Sequence, residues 1–161
     1  MSLLNEKEEL AVALKSRKLF TILFVVASAL YVTALLLCLF ATGDNYAPFL
    51  YLLFGLTIAY VWFAIYCWSA AFPAQSRRIE FFSAAIEGPS EEHVLVYQSK
   101  VKENVYKDGL YATLCRGGYR ENGKDYDFEF YLPHPAPELE EGKKIKIQTF
   151  RRMVLSLEVL P

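Results

Sequence analysis

The chain has 161 residues, of which 54% are apolar and 22% are charged, and its 17 basic and 18 acidic side chains give a formal charge of −1. This balance excludes a strongly basic nucleic-acid binder and an acidic disordered tail. The apolar content is high for a soluble domain of this size, and much of it lies in two uninterrupted runs.

Residues 1–18 form a tail before the first apolar run. Asn5 fits a helix N-cap, with Glu8 three residues later in a capping-box arrangement. The apolar residues 10–14 then lead into a basic cluster. We therefore predict a short amphipathic helix that continues into the first apolar run.

Residues 19–41 and 49–72 contain no charged side chain. At about 1.5 Å per residue each run gives a helix of roughly 35 Å, which exceeds a hydrocarbon core of about 30 Å. The rest of the chain is too short to enclose two such helices in a soluble core. We predict two transmembrane helices, and the lack of ionisable side chains within them argues against a transporter or pump.

The basic residues near these runs predict how the helices are oriented. The connecting loop, residues 42–48, has no basic residue. Basic residues instead precede the first run (Lys15, Arg17 and Lys18) and follow the second (Arg77 and Arg78). The positive-inside rule then places both termini in the cytoplasm and the loop outside, in the cell or plasma membrane.

Small residues four apart occur in each run and could let two helices approach closely: Ala29 and Thr33, and Gly55 and Ala59. We predict a helical hairpin within the chain, with self-association and contact with another membrane protein as the alternatives. The second run also holds nine aromatic residues, more than two interfacial belts require. Some of these aromatic residues must therefore face lipid or a partner helix at mid-depth.

Residues 73–90 form a juxtamembrane segment. Pro73 is expected to end the second helix. Apolar residues at Ile79, Phe82 and Ile86 predict a short helix over 75–86 at the membrane surface. The sequence Gly88-Pro89-Ser90 then breaks it.

Residues 91–161 change to a period of two and predict a β domain. We expect strands at 93–106 (one long or two short), 110–118, 125–132, 143–150 and 153–160. Turns are predicted at 107–109 and at Asn122-Gly123, the strongest hairpin signal in the chain. The proline-rich segment 133–137 cannot join a ladder. About five antiparallel strands without a long helix predict a small OB-like or SH3-like barrel in the cytoplasm.

Alternation also predicts which side chains share a face of each strand. The predicted sets are Leu110, Ala112 and Leu114; Tyr126, Phe128 and Phe130; Ile145, Ile147 and Thr149; and Met153, Leu155, Leu157 and Val159.

The sharpest candidate cluster is Asp125, Asp127 and Glu129, which project about 7 Å apart from one side of a strand. Three carboxylates so spaced could hold a divalent cation weakly. They could equally form a solvated face that pairs with Lys144 and Lys146 across the sheet.

A second candidate is a basic surface, formed by Lys143, Lys144, Lys146, Arg151 and Arg152. OB-type barrels can bind single-stranded nucleic acid through such a surface, but this domain is slightly acidic overall, so contact with anionic lipid headgroups or a plain solvated face is the expectation. The segment 116–120 lacks the strand-to-helix context of a phosphate loop, so we expect a bulge or flexible turn there.

The remaining reactive residues suggest no chemistry. Cys38, Cys67 and Cys115 lack zinc spacing, and neither His93 nor His134 has a neighbouring nucleophile or carboxylate at a telling distance in sequence. We assign no catalytic, cofactor-binding or firm metal-binding residue, and we expect no cofactor and no nucleic acid.

Two apolar runs followed by a small β domain are similar to the short, membrane-anchored members of the NfeD-like group. The run EGKKIKI…LSLEV within residues 141–159 resembles the closing strands of their OB domains. These are generic strand residues, so no residue role is transferred.

Three functional hypotheses follow. The first is a non-enzymatic two-pass membrane protein that tethers a cytoplasmic β domain for protein binding or assembly. The second is an accessory subunit of a larger membrane enzyme, protease or transporter. The third is an enzyme that uses the carboxylate strand.

Overall fold

The computed structural model describes residues 2–40, 46–121 and 123–161. The chain forms two compact units. One comprises Leu14–Ser76, and the other combines Met1–Ala13 with Arg77–Pro161. The N-terminal residues, which the sequence assigned to a tail, therefore belong to the same unit as the β domain.

The helical elements are α1 (Glu6–Phe40), α2 (Tyr46–Tyr66), a π-helical turn (Cys67–Ala71) and α3 (Phe72–Glu87). Two helical stretches, Glu6–Cys38 and Phe49–Glu87, are long and apolar enough to span a membrane. As predicted, the N-terminal helix continues without a break into the first apolar run. Most of the predicted loop 42–48 lies outside the described residues, and α2 already begins at Tyr46.

The prediction that Pro73 ends the second helix is wrong, because helical structure continues through it to Glu87. A proline inside a helix removes one N–H donor, and its ring crowds the carbonyl four residues earlier. The π-helical turn lies just before the proline, and there the Phe72 N–H bonds to the carbonyl of Cys67. Such a turn relieves the crowding while the chain stays helical.

Five strands follow: β1 (Glu91–Lys107), β2 (Leu110–Glu121), β3 (Lys124–Pro133), β4 (Lys144–Phe150) and β5 (Met153–Val159). They close into a barrel in the order β1-β2-β3-β5-β4. The predicted five-strand barrel is confirmed, and its first strand is single and long. Neighbouring strands are antiparallel except β3 and β5, which are parallel and pair only at Tyr131 and Met153.

Tight turns join the antiparallel neighbours that follow one another in the chain. Asp108 and Gly109 both have positive φ (52° and 83°), as a two-residue hairpin turn requires. Gly109 also lies against α3, since an added Cβ would be 2.8 Å from the backbone N of Arg78. In the predicted Asn122-Gly123 turn, Gly123 has φ of 77°, and Asn122 lies outside the described residues.

Two clusters of apolar side chains form the core of this unit. The first fills the barrel and matches the predicted faces of β3 and β4; it includes Leu95, Cys115, Phe130, Ile145 and Ile147. The second lies between the barrel and α3 and includes Phe81, Phe82, Ala112, Met153 and Leu155.

The predicted face of β5 is wrong because the strand carries a bulge. The pairing with β4 shifts between Gln148 and Thr149, which leaves Leu155 without its own partner. Before the bulge Val154 points into the barrel. After it the alternation reverses, so the next residue that points into the barrel is Leu157. Met153 and Leu155 pack toward α3 instead.

On β2 the predicted set Leu110, Ala112 and Leu114 does not line the barrel. Thr113 and Cys115 are the buried residues there, and each is 1% exposed. Ala112 is buried on the opposite side, against α3. The sequence alternation could not reveal this because both sides of β2 are covered at this point.

The first residues of the chain attach to the bulge in β5. The backbone N–H groups of Leu3 and Leu4 both donate to the carbonyl of Leu155, at 2.9 and 3.1 Å. The Leu4 side chain is buried among the second cluster. At the start of α1, the backbone carbonyl of Asn5 accepts the N–H of Glu9 at 2.9 Å, which agrees with the predicted N-cap position.

Candidate functional site

The barrel has an open fork between β1 and β2. Residues Glu91–Val96 of β1 pair with β4, whereas Val96–Lys107 pair with β2. Beyond Gly118, β2 pairs only with β3. The two strands therefore diverge from one point, and an open cavity of about 880 Å³ lies between them. We call this cavity the fork cleft.

One row of residues crosses four strands at the vertex of the fork. Lys144 of β4 is opposite Val96 of β1, Val96 is opposite Gly118 of β2, and Gly118 is opposite Asp127 of β3. Gly118 leaves the middle of this row open. A Cβ there would lie 2.6 Å from Nε2 of Gln98, which itself donates to Oδ1 of Asp127 at 3.3 Å.

Aromatic rings line the walls of the fork cleft. The rings of Tyr119 and Tyr126 stack with centroids 5.5 Å apart across β2 and β3. His93 of β1, which also lines the cleft, contacts Phe128 of β3 with centroids 4.4 Å apart. On the outer side, Val94 is 45% exposed. The cleft thus offers apolar surface on both sides of the β1 edge.

Charges around the cleft are mostly paired. Arg120 lies 3.6 Å from Asp125, and Lys146 lies 3.0 Å from Glu92. Among the described residues, Lys144 has no carboxylate and Asp127 has no cation within ion-pair distance. One positive and one negative side chain therefore remain available, both at the vertex.

The predicted acidic cluster is present as an exposed face of β3, but its partners differ from those expected. Asp125 pairs with Arg120 and Glu129 with Arg116, at 3.6 and 3.0 Å, so the cations come from β2. Pairing with Lys144 and Lys146 does not occur because β5 lies between β3 and β4. Within the described ranges, no three His, Cys, Asp or Glu side chains are grouped so that they could hold a metal ion.

The predicted basic surface is divided between the two ends of β4, a strand that spans about 20 Å. Lys143 pairs with Glu140 at 2.8 Å, and Lys146 pairs with Glu92. At the other end Arg151 lies 3.9 Å from Glu80, and Arg152 follows it in a turn where both have positive φ.

The segment 116–120 is not a turn but a part of β2 that pairs regularly with β3, and the register shift opposite Gly117 and Arg116 lies in β1, between Tyr97 and Ser99. Gly117 is required by packing, because a Cβ there would lie 2.2 Å from Cδ1 of Leu95. The two adjacent glycines thus have different roles: Gly117 accommodates the core, and Gly118 opens the vertex of the fork cleft.

The four predicted helix-packing residues, Ala29, Thr33, Gly55 and Ala59, all lie on exposed helix faces. A Cβ on Gly55 would meet nothing within 4 Å. These faces are open within the chain.

The contact between α1 and α2 instead uses hydroxyl-bearing residues. Tyr31 bonds to Thr57 at 3.1 Å, and Tyr60 bonds to Ser28 at 2.8 Å. The two tyrosine rings stack with centroids 4.4 Å apart and planes 9° from parallel. Each helix thus supplies one tyrosine and one smaller hydroxyl; we call this arrangement the hydroxyl clasp.

The proton positions in the clasp follow from its other hydrogen bonds. Ser28 donates its proton to the carbonyl of Phe24, and Thr57 donates its proton to that of Leu53, both at 2.8 Å. Each small hydroxyl has one proton, so it can only accept from the opposite tyrosine. Tyr60 is therefore the donor to Ser28, and Tyr31 is the donor to Thr57.

A second, smaller cavity of about 450 Å³ lies beside Tyr97, Cys115 and the loop at 136–140. Burial raises the pKa of Tyr97 to about 12, and Cys115 beside it adds to the shift. Burial also raises the pKa of the Cys115 thiol. Both groups are therefore protonated at neutral pH, which fits a core role and not that of a nucleophile.

No family model, curated protein or solved structure matches the chain. The similarity of residues 141–159 to the NfeD-like group stays a prediction from the sequence.

Proposed function

We propose that the chain is a two-pass membrane protein that holds a small barrel at the cytoplasmic side of the cell membrane, where the barrel binds a partner protein. The observation that carries this proposal is the distribution of side chains on the two apolar helices. Outward residues such as Leu30, Leu37, Phe54 and Trp62 are 65–69% exposed. The hydroxyl clasp, in contrast, faces inward between α1 and α2.

This arrangement is suited to lipid and not to water. Exposed apolar patches of this extent are rare on soluble monomers. In a bilayer, the same side chains meet acyl chains, and the backbone polar groups are satisfied within each helix. The flanking basic residues, together with the lack of any in 42–48, support cytoplasmic termini.

The strand order supports an OB-type barrel over an SH3-like one. In an OB fold, five strands form a Greek-key barrel in which the first strand pairs with both the second and the fourth. The order β1-β2-β3-β5-β4, with a long β1 shared in this way, has that pattern. Such barrels commonly act as binding modules, and the fork cleft is the surface that favours this role here.

Alkaline carbonate extraction of membranes tests the tether. We expect the full chain to stay with the membrane pellet and to need detergent for release. Leu30→Arg together with Trp62→Arg should reduce membrane retention, because each charge at mid-depth costs about 2.5–3.5 kcal/mol on insertion scales. Val101→Arg, at an exposed barrel position, is the matched control and should change nothing. Release of the unaltered chain by carbonate would contradict the proposal.

The outward face of α2 favours a second candidate, an accessory subunit of a larger membrane enzyme, protease or transporter. Tyr51, Phe54 and Trp62 are 69–79% exposed along this helix. Gly55 and Ala59 lie exposed on the same helix and would allow another helix to approach closely. Extraction in mild detergent should then retain a stoichiometric membrane partner, identified by mass spectrometry and lost on Gly55→Leu. A chain that is recovered alone would count against this candidate.

A further inference from the structure

We propose that the fork cleft binds an extended peptide segment of a partner protein, which adds as a strand to the free edge of β1 at Glu91–Leu95. This inference rests on the proposed binding role of the barrel and identifies its mode.

The first argument concerns backbone hydrogen bonds. Glu91–Leu95 pair with β4 on one edge, and among the described residues no strand pairs with their other edge. Residues 119–121 of β2 likewise pair only with β3. In an antiparallel strand, successive residues direct their N–H and C=O groups to opposite sides. Unpaired donors and acceptors therefore face the cleft from β1, and a peptide strand satisfies them.

The second argument is the shape and chemistry of the space. A volume of about 880 Å³ falls within the range of specific ligand sites. Side chains of an added strand alternate between two faces. On the outer face they meet Val94 and Val96, which are 45% and 42% exposed. On the inner face they meet the stacked rings of Tyr119 and Tyr126. Apolar residues are thus favoured on both faces.

The third argument is charge complementarity at the vertex. Lys144 and Asp127 are the unpaired charges there, and both lie in the row that crosses Val96 and Gly118. A peptide with one acidic and one basic side chain near the end that reaches the vertex neutralises both. The expected ligand is therefore an extended apolar segment that ends in an oppositely charged pair.

The chain itself provides a precedent for this mode of binding. Its own extended N-terminal residues attach to the barrel through backbone bonds from Leu3 and Leu4 to the carbonyl of Leu155. Ser2 forms an antiparallel bridge with Ser156 in the same place. A short segment without a regular strand is therefore already held at an irregular point of this barrel.

The test is a selection from a phage-displayed library of random 12-residue peptides on the full-length chain in detergent micelles. We expect enrichment of extended, mainly apolar sequences with an acidic and a basic residue at one end. Synthetic versions should bind Val94→Glu at least about tenfold more weakly than the unaltered chain. Val101→Glu is the matched control, because Val101 is another β1 valine, 45% exposed, that does not line the cleft. It should bind the peptides normally.

Backbone methylation distinguishes strand addition from other binding. N-methylation of every second amide of the peptide should abolish binding in one register and have little effect in the other. The inference is overturned by a selection without enrichment, by equal binding to Val94→Glu and Val101→Glu, or by tolerance of methylation in both registers. Self-association of the chain that depends on Val94 would show instead that a second copy occupies the cleft.

The peptide-binding test and the membrane-extraction test can fail independently. Carbonate extraction reports on membrane insertion and does not involve the cleft. A membrane-inserted chain without peptide binding therefore overturns only this inference, and a peptide-binding chain released by carbonate overturns only the tether.

Discussion

Replacement of Gly117 by alanine should destabilise the barrel, whereas the same change at the next residue should not. A Cβ at Gly117 would lie 2.2 Å from Cδ1 of Leu95 and 3.1 Å from the carbonyl oxygen of Val96. Carbon atoms prefer about 3.5–4.0 Å, so the overlap exceeds 1 Å. Leu95 is 1% exposed within the first core cluster and has nowhere to move. Overpacking of this kind costs about 1–3 kcal/mol.

At Gly118 the nearest atom to an added Cβ is Nε2 of Gln98, 2.6 Å away, at the end of an exposed and flexible side chain. Gln98 can rotate, so Gly118→Ala should change the free energy of unfolding by less than about 0.5 kcal/mol. The two variants are therefore matched in chemistry and adjacent in sequence, and they differ only in what the new methyl group meets.

Cys115 provides the assay. It is 1% exposed inside the barrel, and burial raises its pKa, so a maleimide reaches it only when the barrel opens. Each 1.4 kcal/mol lost should speed labelling about tenfold. In Gly117→Ala, Cys115 should thus be labelled roughly 5- to 150-fold faster. Peptide mass spectrometry identifies the labelled residue, because Cys38 and Cys67 are also present. When Gly117→Ala is made in a Leu95→Ala background, the new methyl group no longer meets Cδ1 of Leu95, so the added loss of stability should be small. Equal rates in Gly117→Ala and Gly118→Ala would refute the packing argument.

Three further predictions concern other parts of the molecule. Tyr31→Phe and Tyr60→Phe should each weaken the association of α1 with α2 by about 0.6–1.7 kcal/mol, measured by unfolding in mixed micelles, because each removes the donor of one hydrogen bond in the hydroxyl clasp. Leu4→Ala should cost about 2–5 kcal/mol of barrel stability, measured by Cys115 labelling, since it empties a buried site. The urea concentration at the midpoint of barrel unfolding should decrease as the pH is raised above about 10, because Tyr97 has a pKa of about 12 when folded and an ordinary pKa when unfolded.

Each of these three predictions has a matched control. Tyr51→Phe should be neutral, since Tyr51 is 79% exposed on α2. Val12→Ala, at an exposed position of α1, should leave Cys115 labelling unchanged. For the pH dependence the sign is fixed: a raised folded pKa gives stability that is complete below pH 10 and is lost as the pH rises toward 12. Tyr97→Phe should show a shallower loss above pH 10, and an identical profile would count against the assignment.

The sequence predicted the elements better than it predicted their neighbours. Period-two alternation located all five strands, because each strand buries apolar residues on one face over at least part of its length. It failed on β5, where the bulge at Leu155 reverses the alternation. On β2 it placed Leu110 and Ala112 on one face, as observed, but it could not show that α3 covers that face. The bulge in β5 and the cover over β2 both depend on contacts between elements distant in sequence.

The candidate sites depended even more on such contacts. The fork cleft exists because β1 changes partner at Val96, which no local pattern reveals. The hydroxyl clasp had a readable signal: Ser28 and Tyr31 are three residues apart, as are Thr57 and Tyr60, each pair near the middle of an apolar run. Small residues four apart do not indicate it, whereas polar side chains in such helices usually face a partner.

The most direct test of the account is the side of the membrane on which each segment lies. In a chain whose own cysteines are replaced by alanine, Asn45→Cys and Glu103→Cys are labelled with an impermeant maleimide on intact cells. We predict that position 45 is labelled from outside and that position 103 is labelled only after permeabilisation. Labelling of position 103 on intact cells would contradict it, as would recovery of the chain as a soluble monomer without lipid or detergent.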